Sequence, residues 1–560
     1  MDKLQLSHTA KTIIHAYAER RGVETSDQLQ TWLNPRISPS QYPLPDANKA
    51  FARLDQAIGR GERVVVFGDY DADGITSTSI LLRFLRECTS LRPSWILPNR
   101  QTDQYGLDLE AAKKVVAGHN PGLVITIDCG SNSSEAITWL KKQGVDTIVI
   151  DHHLVYSLAT DAVAIVNPKA HPEFSCGDLK NLCAAGLALH LCAFLADQWG
   201  CSSDWDNKTA VLLAGLGTLA DSVPMSACNR AIAKNALLLI NTPTALAKSI
   251  GLAALVPQDG QRISQRRLQF EVVPALNALG RLDSAAPGVT LLTTADEVEA
   301  EILAERCKTL NTERKNKQAE TVAEAIAQGE ELLGRNPDLP VLILAKESWH
   351  HGVAGPAASK VTEKFGKSVI LLAPDGNGGW KGSGRAHNSD NLGEWLVAVK
   401  RLGFVTRGGG HAGAVGVGVT TEQIEQLRII AAHISMSQIV DHEPEAEVMG
   451  DVDLLTPEEW TRVGEILEPF GSGNPYPVIT AKNARITTDP TELKLRDSGK
   501  TWAVKAGFLT KQGQKLNVTW TDFTTALAKW HLGQSYDLSM EVTAKPWNGR
   551  LYFNWTVLSV

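Results

Sequence analysis

Three aspartates, Asp69, Asp71 and Asp73, stand at alternating positions just after the apolar run of residues 64–67. Such a run predicts a buried strand of a parallel sheet, and open α/β sheets hold their ligands beyond the carboxyl ends of the strands. Carboxylates this close repel one another, which raises their pKa values unless a cation neutralises them. The spacing therefore predicts a divalent-metal site.

The same spacing also opens the calcium-binding loop of an EF-hand. That loop requires a bidentate glutamate at its twelfth position, and counted from Asp69 this position is Ile80. A solvated acidic turn is a second alternative, but acids set against an apolar strand seldom form a plain surface turn. Both alternatives are less well supported than a metal site.

Acids and histidines end three further apolar runs: Asp128, the triplet Asp151-His152-His153, and Asp221. A single Asp at such a place is commonly a helix N-cap, but three sites together, one with two histidines, favour metal binding. The mixed ligand set, which suits Mn²⁺ or Mg²⁺, comprises Asp71, Asp73, Asp128, His152 and Asp221. It is large enough for two ions that share a carboxylate, the arrangement that attacks phosphate esters. His153 would orient its neighbour through a hydrogen bond.

Three glycine-rich pieces predict a phosphate-binding wall opposite these acids. They are Asn277-x-x-Gly280-Arg281, Gly382-Ser383-Gly384-Arg385, and residues 408–413, which include His411. Backbone N–H groups, a hydroxyl, guanidinium forks and an imidazole all suit phosphate oxygens. Each piece alone is typical of a turn, so the interpretation depends on the three together. The chain contains neither a GxSxG nucleophile elbow nor a GxxxxGK[ST] phosphate loop.

Length and composition indicate a multi-domain globular protein. The 560 residues are too many for one core, and the chain is 43% apolar and 21% charged. No apolar run reaches the roughly 18 residues of a membrane span, and the start lacks the apolar region of a signal peptide. The eight cysteines contain no CxxC pair, which predicts free thiols in a cytoplasmic protein and argues against a zinc ribbon.

Periodicity and charge divide the chain further. Apolar runs alternate with amphipathic segments over residues 62–221, which predicts a parallel sheet, and residues 295–333 suit one long exposed helix. A second α/β segment begins at residue 340. After residue 449 the sequence pattern predicts an all-β domain, with an Asn-Gly hairpin signal near its end. From residue 471 onward there are eleven Lys and Arg residues and six Asp and Glu residues, a net charge of +5. The net charge of the whole chain is −7. The tail is therefore a basic module on an acidic body.

Several motifs resemble the DHH phosphoesterase superfamily with its associated DHHA1 domain. These motifs are GDYDADGITST (68–78), ITIDCGS (125–131), DHH (151–153), GTLAD (217–221) and GGGHAGAVG (408–416). A longer ordered series is similar to the RecJ family within that superfamily. That series includes PNRQTDQYGL (98–107), PALNALGRLDSA (274–285), LNTERK (310–315), WHHGVAG (349–355), GSGRAH (382–387) and EPFGSGNPYP (468–477).

The resemblance implies a fold and five segments. We expect an α/β protein in which a parallel-sheet DHH domain is joined by a long helix to a smaller α/β DHHA1 domain, followed by an all-β OB-fold. The expected segments are an N-terminal helical lead-in (1–60), the DHH domain (61–230), a helical region with the connecting helix (231–338), the DHHA1 domain (339–445) and the OB-fold (446–560).

The resemblance also implies an activity. The family degrades single-stranded DNA from its 5′ end, in DNA repair and recombination, with Mn²⁺ or Mg²⁺, and we expect two ions. The implied partners are single-stranded DNA, a single-strand-binding protein and a helicase. We expect a monomer in the cytoplasm, with no membrane contact.

The resemblance also assigns roles to individual residues, at the positions that match the family's motifs. Metal binding falls to Asp69, Asp71, Asp73, Asp128, His152 and Asp221, although Asp69 could instead support Asp71 and Asp73. His153 and His411 complete the expected catalytic set. The DNA would be held by Arg100, Tyr105, Asn277, Arg281, Ser383, Gly384, Arg385 and His411.

This sequence departs from the family pattern at four places that border the substrate-binding residues. Gln104 stands where the family more usually has Gly, and His351 where it has Pro; Ala386 and the triple glycine before His411 are also unusual. In the basic tail, the candidates for stacking on bases, most of them expected in the core, are Trp502, Trp520, Trp530, Trp547, Tyr552 and Trp555.

Two other functions stay open. One is a small-substrate phosphoesterase of the same superfamily, acting on pyrophosphate, cyclic dinucleotides or oligoribonucleotides. The other is a non-catalytic replication scaffold. The long helix and basic tail favour a polymeric substrate over the first, and the complete set of expected metal ligands disfavours the second, since an unneeded buried carboxylate cluster is costly.

Overall fold

The structure is a computed structural model that describes residues 6–37, 44–100, 103, 106–174, 177–376, 378–434, 436–438, 447–494, 501–521, 523–547 and 550–559. The expected α/β class is confirmed: a parallel-sheet domain, a long helix, a second α/β domain and a C-terminal β-barrel follow one another along the chain.

The first domain is built on a five-stranded parallel sheet with the order β2-β1-β3-β4-β5. Its strands are β1 Val64–Phe67, β2 Ser94–Ile96, β3 Leu123–Ile127, β4 Asp146–Ile150 and β5 Ala164–Val166. Every residue of β1 and β3 is buried, because helices cover both faces of a parallel sheet. The apolar runs found in the sequence therefore mark the centre of the sheet.

Helices surround this sheet and extend it toward the next domain. In chain order they are α1 His8–Glu19, α2 Ser26–Leu33, α3 Ala47–Arg60, α4 Ala72–Cys88, α5 Leu109–His119, α6 Ser134–Lys142, α7 Ala184–Trp199, α8 Asn207–Ala220, α9 Ala227–Ile240, α10 Pro243–Leu246, α11 Ile250–Leu255, α12 Gln265–Arg267, α13 Val273–Leu282, α14 Ala286–Thr293 and α15 Glu297–Arg335. The long helix predicted over residues 295–333 is α15, and a short π-helical stretch precedes α13.

The second α/β domain carries a mixed sheet with the order β6-β7-β8-β10-β9, in which only the β6–β7 pair is parallel. Its elements are β6 Val341–Ala345, α16 His351–Phe365, β7 Ser368–Pro374, β8 Trp380–Arg385, α17 Leu392–Arg401, β9 Arg407–His411, β10 Ala414–Val419 and α18 Thr421–Ala431.

The C-terminal region is a closed barrel. Its elements are β11 Val448–Asp451, α19 Pro457–Leu467, β12 Val478–Ile486, β13 Thr491–Lys494, β14 Thr501–Leu509, β15 Lys515–Trp520, α20 Phe523–Lys529, β16 Ser535–Trp547 and β17 Arg550–Ser559. Strands β12, β16, β17, β15 and β14 pair in that order, and β14 returns to β12. Five strands closing this way form an OB-fold barrel.

Three of the six aromatic stacking candidates lie in the barrel core. Trp520, Trp530 and Trp555 are 8%, 2% and 0% exposed, so they stabilise the barrel and cannot stack on a base. The side chains of Trp502, Trp547 and Tyr552 lie outside the described residues.

The N-terminal helices divide between two domains. Ile14 and Tyr17 of α1 and Leu29 of α2 join the barrel core, whereas Leu54 of α3 packs into the core of the parallel-sheet domain. No sequence pattern indicated this division, because the amphipathic pattern of a helix shows which face is buried but not which domain it packs against.

The apolar content of the helices and the state of the cysteines can both be compared with the sequence predictions. Within the described ranges, no helix is both long and apolar enough to cross a membrane. The seven cysteines in those ranges are free thiols, as the absence of CxxC pairs predicted.

Gly215 provides a test of how α8 is held against α9. A Cβ at this position would lie 2.1 Å from Ala236 Cβ, so Gly215→Ala should destabilise the protein by about 1–3 kcal/mol through overpacking. Gly59, inside α3, has open space around it, and Gly59→Ala should stabilise the protein by about 0.5–1 kcal/mol. Urea unfolding measures both changes, and equal effects would contradict the close packing of α8 on α9.

Candidate active site

The three alternating aspartates lie in the connection between β1 and α4. Asp71 caps α4, because its Oδ1 accepts the backbone N–H groups of Asp73 at 3.0 Å and Gly74 at 3.1 Å. A Cβ on Gly74 would lie 2.4 Å from the Asp69 carbonyl oxygen, so only glycine fits there. The tight turn therefore fixes both Asp69 and Asp71.

Asp73 is held from another helix. Its two carboxylate oxygens accept the backbone N–H groups of Ala184 at 2.8 Å and Ala185 at 2.9 Å, at the start of α7. Because a carboxylate at a helix N-terminus is stabilised by unpaired N–H groups, α7 holds Asp73 in place 111 residues away in sequence.

The acids converge on His152. Its Nε2 lies 3.2 Å from Asp128 Oδ1, 3.7 Å from Asp221 Oδ2 and 3.9 Å from Asp73 Oδ2. Ligand atoms within 4.8 Å of one another form three groups: Asp69, Asp71 and Asp128; Asp73, His152 and Asp221; and Asp128, His152 and His153. Asp128 and His152 each belong to two groups, so the geometry suits two ions with shared ligands.

Asp151, the first residue of the triplet, has a different task. Its carboxylate accepts the backbone N–H groups of Ser131, His152 and His153 at 3.0, 2.7 and 3.1 Å, and lies 2.7 Å from His153 Nδ1. This pairing raises the pKa of His153 despite its burial, and these donors together lower the pKa of Asp151. Asp151 therefore holds the two histidines in position, a role the sequence did not assign.

The remaining acids are crowded and desolvated. Burial first, then the neighbouring carboxylates, raises the pKa of Asp69 and Asp128 well above the ordinary value. The same causes raise the pKa of Asp73 to about 6 and of Asp221 to about 8. Burial lowers the pKa of His152 to about 3, which keeps it a neutral nitrogen donor. Oδ1 of Asp69 is buried with no hydrogen-bond partner, as expected of an atom that faces a cation, so this residue set fits divalent ions.

Helix α13 supports the aspartate loop and carries one arginine of the wall. The Asn277 side-chain oxygen accepts the Ala72 N–H at 2.8 Å, so this residue positions the start of α4. A Cβ on Gly280 would lie 2.5 Å from the Tyr70 carbonyl oxygen, which shows how closely α13 approaches the loop. Arg281 follows, and its Nη1 donates to the Gly352 carbonyl at 3.2 Å.

Strand β8 supplies a second part of the wall. Lys381, Ser383 and Arg385 alternate along it and therefore share one face. A Cβ on Gly355 of α16 would lie 3.0 Å from Arg385 Nη2 and 3.6 Å from Ser383 Oγ, so α16 covers this face closely. Gly384 points to the opposite face, and its carbonyl accepts from Arg385 Nη1 at 2.8 Å.

Several cations meet around Arg281. Burial and the charges of Arg100, Arg314 and Arg385 lower the pKa of Arg281 to about 9. The Arg100 guanidinium lies 5.2 Å from the centre of the Tyr70 ring. Guanidinium groups crowded together in this way need an anion to offset their repulsion, as a phosphate would.

The sequence missed Arg314 and Lys381 as parts of this wall. Arg314, on α15, is oriented by Asn311 Oδ1 at 3.1 Å and Gln318 Oε1 at 2.8 Å. It belongs to the LNTERK motif, but a charged residue on a charged helix carries no local signal. For Lys381, the two-residue alternation with Ser383 could have revealed the shared face.

The remaining residues predicted from the sequence lie away from the acid cluster or outside the described residues. His411 lies at the exposed end of β9, where its Nδ1 accepts the Gly413 N–H at 3.2 Å; within the described ranges, no metal-binding group includes it. His351 begins α16, and burial, His350 and Lys381 lower its pKa to about 4. Tyr105 and Gln104 lie outside the described residues.

Two segments of the chain match known domain families. Residues 63–216 match the DHH family N-terminal domain, and residues 338–434 match the DHHA1 domain. This pairing, with the acid cluster at the edge of a parallel sheet, places the chain among the proteins that combine a DHH domain with a DHHA1 domain.

Individual relatives narrow the class. The chain is 32% identical over 482 residues to the single-stranded-DNA-specific exonuclease RecJ of Salmonella typhimurium, covering 82% of each chain. It is 30% identical over 479 residues to that of Escherichia coli, covering 82% of this chain and 81% of the relative. The crystal structure of RecJ from Thermus thermophilus in complex with Mn²⁺ has a TM-score of 0.76 and 25% identity, covering 98% of this chain and 75% of that one. This chain belongs to the RecJ family.

The raised carboxyl pKa values predict how stability depends on pH. Without metal, the folded state keeps protons on Asp73 and Asp221 that the unfolded chain, with an ordinary Asp pKa of about 3.9, has released. Stability in EDTA should therefore fall as pH rises from about 4 toward 8. Added Mg²⁺ should raise the melting temperature more at pH 8 than at pH 6, because fewer protons compete with the ion.

The control for this measurement is Asp128→Asn combined with Asp221→Asn, which should remove most of the pH-dependent part of the Mg²⁺ effect. A Mg²⁺-induced shift in melting temperature that is the same at both pH values would contradict the interpretation.

Proposed function

We propose that this protein is a metal-dependent exonuclease that hydrolyses phosphodiester bonds of single-stranded DNA from the 5′ end. The observation that carries the proposal is a pair of ligand groups facing a wall of crowded arginines. One group contains Asp128 and the other contains His152, and these two residues lie together in a third group that links the pair. The relatives named single-stranded-DNA-specific exonucleases give the substrate class. In this family the activity serves DNA repair and recombination.

The two acid groups are the proposed metal sites. One ion would be held by Asp69, Asp71 and Asp128, and the other by Asp73, His152 and Asp221. Divalent ions bound there lower the pKa of water and stabilise charge on phosphate oxygens. The solved structures of relatives in complex with Mn²⁺ and with Mg²⁺ support either ion.

The chain's own groups then act on the DNA. Neutral His152 would supply a nitrogen ligand. Asp151 Oδ1 lies 2.7 Å from His153 Nδ1 and holds that ring beside the acids, where it would contact the scissile phosphate. Arg281, Ser383 and Arg385 would grip the terminal phosphate, because guanidinium forks and a hydroxyl match its oxygens. The further proposed DNA contacts are Arg100, Tyr105, Asn277, Gly384 and His411.

The small-substrate alternative is less well supported. A dinucleotide or pyrophosphate would not need a closed barrel with a basic surface, whereas OB-fold barrels bind single strands through a positive groove. Hydrolysis rates on a series of 5′-labelled oligonucleotides separate the two functions. Rates that rise with strand length support the exonuclease, and a preference for dinucleotides would overturn it.

The central test removes one acid from each proposed metal group. Asp128→Ala combined with Asp221→Ala should abolish Mn²⁺-dependent digestion of single-stranded DNA, by at least about 10³-fold, because the remaining ligands cannot hold both ions. Release of label from 5′- and 3′-labelled DNA and RNA measures activity, polarity and sugar preference together. Normal activity of the double variant would overturn the proposal.

The arginine wall predicts a preference for a 5′-phosphate. Arg385→Met should raise KM for 5′-phosphorylated DNA about tenfold or more, since one charge-assisted hydrogen bond is lost, and should change KM for 5′-hydroxyl DNA little. Arg401→Met, at the exposed end of α17 in the same domain, is the matched control. Equal losses on both substrates would remove Arg385 from the terminal-phosphate site.

We further propose the domain boundaries at residues 60, 230, 338 and 445, a monomeric protein, a cytoplasmic location, and a single-strand-binding protein and a helicase as partners. The basic barrel and the family support these assignments. Sedimentation velocity tests the monomer, and co-purification with each partner tests the association.

A further inference from the structure

Asp221 is the metal-site acid with the least direct support. Asp73 accepts two backbone N–H groups, whereas no donor in the described part of the chain hydrogen-bonds the Asp221 carboxylate. Its side chain is 30% exposed, against 2% for Asp73. The position of Asp221 therefore depends on its backbone. Its N–H donates to the Gly217 carbonyl at 2.9 Å, which fixes it to the end of α8, and on its other side the backbone continues into the loop over residues 221–226, which joins α8 to α9.

That loop is held by a segment of the C-terminal domain, residues 468–476, here called the strap. The Met225 N–H donates to the Ser472 carbonyl at 2.7 Å. A Cβ on Gly471 would lie 2.9 Å from Met225 Cγ, so the strap touches the loop directly. On the α8 side, Gln269 Nε2 donates to the Leu219 carbonyl at 3.3 Å.

The strap is itself fixed by Gln265. Gln265 Nε2 donates to the Phe470 carbonyl and the Phe470 N–H donates to Gln265 Oε1, both at 2.6 Å. Gln265 is 1% exposed, so breaking this two-point contact leaves buried polar groups unpaired, which costs about 1–3 kcal/mol each.

A buried arginine and a half-buried lysine of α9 hold the chain where it enters the strap. Lys234 Nζ donates to the carbonyls of Ile466 and Glu468, each at 2.8 Å. Arg230 Nη1 donates to the Leu467 carbonyl at 3.0 Å and to that of Pro469. Charged donors that reach the carbonyls at a helix C-terminus stabilise it, so the strap has one position relative to α9.

We infer that Gln265 and Gly471 are positioning residues for Asp221, and that the strap of the C-terminal domain completes the metal site of the parallel-sheet domain. The inference rests on the proposed role of Asp221 as a ligand. It assigns the EPFGSGNPYP motif, which the DNA-binding wall leaves unexplained, to the geometry of the metal centre.

Metal affinity measured without DNA tests the inference. Mn²⁺ binding to the full-length protein, followed by the loss of the free-ion electron paramagnetic resonance signal, should show one of the two sites weakened at least fivefold in Gln265→Ala. The matched control is Gln258→Ala. Gln258 is exposed and donates to the carbonyls of Ala253 and Val256, away from the strap, so this variant should bind both ions normally.

A second variant covers the case in which Gln265→Ala does not fold. Gly471→Ala should weaken the same Mn²⁺ site, because its added methyl group displaces Met225 and because the φ of +158° at this position disfavours any side chain. Gly471→Ala combined with Met225→Ala makes room for that methyl group and should restore part of the lost affinity, which a general loss of stability would not do.

The reference variant is Asp221→Asn. If it loses one Mn²⁺ ion while the folded strap variants bind both ions normally, the positioning role is overturned and the metal assignment stands. If Asp221→Asn binds both ions with unchanged affinity, the ligand assignment itself falls, and the inference falls with it.

Discussion

The repulsion among buried carboxylates is the constraint on which this structure depends. Asp69, Asp73 and Asp128 are each 2% exposed, and their charges cannot all persist in so dry a place without a cation, because desolvation and mutual repulsion both oppose ionisation. The fold therefore keeps them there with several strong hydrogen-bonded contacts: a capped turn, two N–H groups of α7 and the Asp151 pairing. Stability and metal binding are linked through these same groups.

Charge of the opposite sign lies across from the acids. Arg281 comes from α13, Arg314 from α15 and Arg385 from β8, and each is partly or largely buried with a lowered pKa. Acids that need cations and arginines that need anions are complementary to one ligand, a phosphate chain with divalent ions. The long helix α15 matters here because it carries Arg314 while joining the two α/β domains.

The C-terminal barrel takes part in this arrangement through ordinary packing. Helix α1 and the strap are tied together by Tyr17, whose hydroxyl donates to Asn474 Oδ1 at 2.9 Å and to the Pro475 carbonyl at 2.6 Å. Arg230 of the parallel-sheet domain lies 3.6 Å from the centre of the Trp32 ring of α2. The two ends of the chain thus pack together against the loop that begins at Asp221, so the barrel lies at a fixed place relative to the acids.

The sequence alone determined the sheet, the acids and the class of chemistry. Apolar runs of four or five residues predicted β1, β3 and β4, and the carboxylates at their ends predicted a metal site, because strand ends in a parallel sheet meet at one edge. Only the tertiary structure decided what each polar residue does there. Asp151 turned out to orient histidines, Asn277 to hold the start of α4, and Arg314 and Lys381 to join the wall. The support of the Asp221 loop by a strap from the far end of the chain was invisible as well. These roles depend on contacts between segments far apart in the sequence, and such contacts leave no periodic pattern in it. A strand and its end, in contrast, can be recognised from a few neighbouring residues.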